Sequence, residues 1–181
     1  MRLIILILSN LTEGNTGIAM TRHEADQFRD AEVHVCTLPH AERFVVWAAR
    51  AWIDAHYTGR IPCRRLQGMF QHLQLQDCIG PFYSLFTFLA NDASRDLDFR
   101  CPACGTLGDD ERRLLTLFAA YQQGAARAAD VVLEDWLPDA MAARAAYPAR
   151  LVANGLADSG LRLRGALPPR LQEMPRQPIA H

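Results

Sequence analysis

Between Glu42 and Ala55 apolar side chains return every third or fourth residue, so that Phe44, Trp47, Ala48, Ala51, Trp52 and Ala55 share one helical face while Glu42, Arg43, Arg50 and Asp54 lie off it. This spacing predicts a helix over residues 39–57, with Pro39 in the first turn, where a missing N–H costs nothing. In "CRRLQGMFQHLQLQ", Leu66, Met69, Phe70 and Leu73 repeat the pattern, and a second helix follows, weakened by Gly68. "IGPFYSLFTFLAND" is apolar on most sides; its length and its opening Gly-Pro make it a third, core helix. A fourth runs over 109–123, with Leu114, Leu117, Phe118 and Tyr121 inward. Asp109, Asp110 and Glu111 fill its first turn, where carboxylates meet the positive end of the helix dipole and are expected to be solvated. Gly124 separates it from a fifth helix striped by Ala129, Val132, Leu133 and Trp136, and a sixth starts at Pro138 and is kinked or split at Pro148.

No segment alternates apolar and polar residues between turn signals as a strand does. The expected fold is therefore all-α, a single domain of about six helices in an irregular bundle. Residues 20–164 form that domain. Residues 1–19 read as a loose N-terminal extension, since "MTRHEADQF" from Met20 makes a polar start, and 165–181 as a flexible Arg- and Pro-rich tail.

Composition narrows the chemistry. With 181 residues, 50% of them hydrophobic, the chain can bury one substantial core. The net charge is -1 and no block of five like charges occurs, so neither nucleic acid nor an anionic membrane is an expected partner. The apolar run from Leu3 to Leu8 is far below the ~20 residues of a membrane helix. The expected partner is instead another protein or a second copy of the chain. All 19 basic residues are Arg, which removes Schiff-base catalysis and the lysine-dependent phosphate-binding loop if the lysine must come from this chain. The five cysteines do not have the spacing of a secreted disulfide framework, so a reducing cytoplasm is the expected location.

One stretch carries candidate chemistry, "RCPACGTLGDDE". The two-residue gap in Cys101-Pro-Ala-Cys104 lets two thiolates turn toward one ion, and it resembles a zinc knuckle. Zinc needs four ligands, and Cys36 and His40 in "HVCTLPH" are the best supply, with His34 close by. This loop precedes the first helix as the cysteine loop precedes the fourth, and packing the two helix starts together would assemble a Cys3His site for a structural zinc. His72 with Cys78 is a rival pair and Cys63 a third source. Without metal, "CPACG" is a tight turn before a helix.

The same four residues resemble the active-site motif of thioredoxin-like oxidoreductases, which implies a Cys101 seated on a helix N-terminus after a strand. His40-Ala-Glu42 with the later Cys101 and Cys104 resembles the two halves of zinc-dependent nucleobase deaminases, which implies zinc on His40 and the cysteines, Glu42 as proton shuttle, and a β-sheet. Here Arg100 stands where that pattern has a proline. The aromatic stripe of Phe44, Trp47 and Trp52 reads as core. The sequence thus points to an interaction or regulatory module, with one structural zinc at the cysteine loop or no cofactor. The alternative is a metal-dependent or thiol enzyme using Cys101, Cys104, His40 and Glu42.

Overall fold

The computed structural model describes residues 33–60 and 64–164. Among these residues six helices follow in order: α1 His40–Tyr57, α2 Arg64–His72, α3 Ile79–Asp92, α4 Asp109–Gln122, α5 Ala126–Trp136 and α6 Asp139–Asp158. Short 3-10 turns at Val35–Thr37 and Gln76–Cys78 precede α1 and α3. Among the described residues there is no strand, and a single isolated antiparallel bridge joins His34 to Thr106. The chain is an all-α single-domain bundle. The N-terminal extension, the tail and Cys63 lie outside the described residues.

Helix α6 packs on α3, α4 and α5, α4 packs on α5 as well, and α1 lies against α2, α3 and α4. Burial on α1 goes well beyond the predicted stripe, because Val45, Val46, Ala49 and Ile53 are buried as well. A row of rings marks the middle of the core: Phe44, Phe70, Phe82, Phe86, Phe99 and Trp136 follow one another at centroid distances of 5.3, 5.3, 4.6, 5.9 and 6.5 Å. Removing each such ring from water contributes about 1.5–3 kcal/mol, and the row ties α1, α2, α3, the α3–α4 loop and α5 into one cluster.

Three local expectations change. The second helix stops at His72, and Gln74 at φ 59° turns the chain before the 3-10 turn. Met69, placed on the inward stripe, is 39% exposed. Finally, α6 is not split: it continues through Pro148, which is buried inside it. Gly124 does separate α4 from α5, at a φ of 74° that favours glycine.

Beyond α6 the chain is pinned by side chains rather than by secondary structure. The Gln122 amide donates to the carbonyls of Ala153 and Leu161 and its oxygen accepts the Leu163 amide, while Glu42 Oε1 accepts the Arg164 amide at 2.9 Å.

Candidate functional site

Residues 93–108, between α3 and α4, form a long non-helical loop with the two cysteines at its far end. Leu97, Phe99 and Leu107 anchor it in the core. What shapes it is the first turn of α4. Asp110 accepts two hydrogen bonds from Arg95 at 2.6 and 2.9 Å, one from the Asp98 amide at 2.6 Å and one from the Trp136 indole at 2.8 Å. Glu111 accepts Arg50 at 2.6 and 2.8 Å, the Gly108 amide at 2.8 Å and the Arg100 amide at 3.1 Å. Arg50 uses its other donors on the carbonyls of Cys104 and Thr106, at 2.6 and 2.7 Å.

These contacts overturn the expectation of a solvated acidic turn. Asp109 faces solvent, but Asp110 is 1% and Glu111 0% exposed, and Arg50, placed off the apolar face of its helix, is 4% exposed. A carboxylate buried this deeply needs cationic and amide donors, and each here has them. Asp98 completes the turn: its Oδ2 accepts the Asp109 amide, serving one of the unpaired N–H groups at the start of α4. Arg113 and Arg95 both pair with Asp135, extending the Asp110 cluster toward α5.

Burial alone would push the Asp110 carboxyl upward, yet the hydrogen bonds from Arg95, the Asp98 amide and Trp136, with the Arg95 charge, together hold it below the usual carboxylate range. A folded-state value below the unfolded one means that the unfolded chain binds the extra proton, so the stabilisation is complete above roughly pH 4, the ordinary aspartate value, and is lost as pH falls through the folded value. Asp110→Asn should therefore flatten the fall in melting temperature below about pH 4. A variant with the same acid slope as the wild type would show that other carboxylates carry it.

The two segments singled out for zinc do come together. The Val35 amide donates to the Gly105 carbonyl at 2.8 Å and the Leu107 amide to the Val33 carbonyl at 2.9 Å, bringing "HVCTLPH" alongside the cysteine loop. Cys101 and Cys104 are joined as a disulfide, with Cα atoms 5.4 Å apart and a turn hydrogen bond from the Cys104 amide to the Cys101 carbonyl. Cys36 and His40 are exposed. Among the described residues no group of three or more His, Cys, Asp or Glu side chains is placed to hold a metal ion. The cation that organises this region is the Arg50 guanidinium. Of the rival pair, Cys78 is buried, and burial, reinforced by Asp77 and Asp158, pushes its thiol up.

Both resemblances fail on structure. Cys101 and Cys104 precede α4 by a stretch of loop, since the helix opens only at Asp109, so no helix N-terminus lies under either sulfur in the thioredoxin manner. The deaminase reading needs a sheet that the described residues lack. Its proton shuttle, Glu42, is 4% exposed and turned to the Arg164 amide.

Both cysteines are half-buried, and Pro102 and Ala103 between them are exposed. Against the turn lies a cleft of about 130 Å³ whose lining includes Val35, Val46, Trp47, Ala51, Pro102 and Cys104, with Arg50 among them. Trp47, half-buried and packed against the core beside Phe44, also forms a wall of this cleft. Sequence reasoning missed Arg50 and the Asp110–Glu111 pair. The available signal was an arginine in the otherwise apolar run "VVWAARAWI", which calls for a buried carboxylate somewhere else in the chain.

In comparison with known proteins, no family model matches the sequence, no curated protein matches it, and no solved structure matches it. No described helix is long and apolar enough to cross a membrane.

Proposed function

We propose that this chain is a small interaction or regulatory module whose contact face is the cysteine turn and the cleft beside it. The observation that carries this reading is the buried Arg50–Glu111 pair, which holds the carbonyls of Cys104 and Thr106 in place. Buried ion pairs add little net stability compared with apolar side chains of similar volume, and their better-attested role is to fix one arrangement. Here the arrangement fixed is that of an exposed loop rather than of the core, and loops held on a rigid scaffold are where binding residues concentrate. The turn offers a partner the exposed Pro102 and Ala103, and the cleft offers it the indole of Trp47.

A second cleft, between α5 and α6, is lined by Asp130, Glu134 and Asp139 with small alanines, and a third surrounds Cys78. Neither joins a nucleophile to a base in the way a catalytic site requires.

A photo-crosslinking amino acid at Ala103, in cells that carry the gene natively, should yield a discrete adduct of higher mass. The same probe at Val131, 53% exposed on α5, should not. Equal labelling from both positions, or none from Ala103, would remove the turn as the contact face.

A further inference from the structure

The disulfide does little for the architecture around it. It spans two intervening residues, and constraining so short a loop removes little entropy from the unfolded chain. The same turn is already held by the Cys104 amide on the Cys101 carbonyl, by Arg50 on the Cys104 carbonyl and by Glu111 on the amides of Arg100 and Gly108. Opening the S–S bond therefore leaves the loop anchored at several points, which is what repeated reduction and re-oxidation of a folded protein require. The bond is also reachable: both cysteines are half-buried, the residues between them are exposed, and Cys104 lines the cleft with Trp47, Val35 and Pro102. By contrast, Cys78 is a lone buried thiol against α6, with Sγ against the Gly155 position.

We propose that Cys101 and Cys104 form a reversible dithiol–disulfide couple that exchanges electrons with a dithiol protein docked over the cleft. One thiolate of the donor attacks Cys104 Sγ on the cleft side. A donor–Cys104 mixed disulfide forms, the Cys101–Cys104 bond breaks, and Cys101 leaves as a thiolate that takes up a proton. The second thiol of the donor then attacks the mixed disulfide and releases Cys104. Two electrons and two protons have passed from the dithiol donor to the pair, leaving the donor as a disulfide. The proposal rests on the contact face described above only for where the donor docks; the exchange itself needs no native partner.

The test uses the full chain. In oxidised protein, alkylation followed by peptide mass spectrometry should find Cys101 and Cys104 protected, and dithiothreitol should expose those two thiols while the helical circular dichroism signal and cooperative melting persist. With thioredoxin, its reductase and NADPH as the probe donor, one NADPH should be consumed per chain, and none by Cys101→Ser/Cys104→Ser. Trp47→Ala, with Val35→Ser as a second cleft variant, should lower the second-order rate at least five-fold and leave the dithiothreitol midpoint unmoved. Reduction only on unfolding would overturn the couple, as would protein that stays a dithiol in air or that is isolated with one zinc per chain on these thiolates. An unchanged rate in both cleft variants would overturn the docking site. Failure of the Ala103 crosslink would remove the contact face and with it the docking site, while the dithiol–disulfide couple itself would stand on the dithiothreitol and NADPH measurements.

Discussion

Arg50→Met lowers the free energy of unfolding by about 3–5 kcal/mol, the usual cost of leaving one member of a buried ion pair without the other. The change strips Glu111 of two charge-assisted hydrogen bonds in a site with no exposure, and it leaves the carbonyls of Cys104 and Thr106 without their donor. Glu111 cannot turn outward to be hydrated, because it also accepts the amides of Arg100 and Gly108. The double variant Arg50→Met/Glu111→Leu should recover part of the loss, since two apolar groups of matching volume replace the pair, and the non-additivity measures the coupling. Chemical denaturation followed by circular dichroism reads both numbers. A single-variant loss below about 1 kcal/mol would be that of a solvent-screened surface pair and would contradict the burial of Arg50 and Glu111.

Gly108→Ala should cost about 3 kcal/mol, at the upper end of what overpacking does. Its φ of -76° suits any residue, so conformational freedom is not the reason for glycine here. The reason is space: a Cβ at this position would overlap the Asp98 carbonyl oxygen and crowd the Asp98 carboxylate. The obstructing atom is backbone, and it cannot move without breaking the contacts from Asp98 to the Asp109 amide and from the Asp98 amide to Asp110. Gly68→Ala is the internal control. That glycine lies within α2 with nothing within 4 Å of an added Cβ, so the substitution should gain up to about 1 kcal/mol. Equal effects at the two positions would show that the close approach at Gly108 is relieved elsewhere.

Helix number and most helix limits were legible because each depends on neighbours three or four positions away. The third helix, Ile79–Asp92, coincides with its apolar stretch, and α4 begins at the first of its three carboxylates. The candidate site was legible only as far as its cysteines. The Cys36 segment lies beside the cysteine loop, the juxtaposition on which a shared zinc site would have depended, but the carboxylates that fix the loop read in the sequence as a solvated first turn. The reason is separation along the chain: Arg50 meets Glu111 across 61 positions, just as, away from the loop, Glu42 meets the Arg164 backbone amide across 122. Helical periodicity sorts residues into faces and does not reveal that a polar face will be covered by a loop arriving from far away. A local pattern has the same blind spot for Asp110, whose partners are Arg95 and Trp136, on opposite sides of it in the chain.

Gly155 sits inside α6 where an added Cβ would overlap Cys78 Sγ, so the two positions share one fixed allotment of volume. Among descendants of a common ancestor, bulk at the two sites should drift in opposite directions: alanine or serine at 155 should accompany glycine or alanine at 78, and a larger residue at 78 should be found only over glycine. Either substitution alone passes through a crowded or hollow intermediate, which makes the order in which the two mutations are fixed matter as much as their identity.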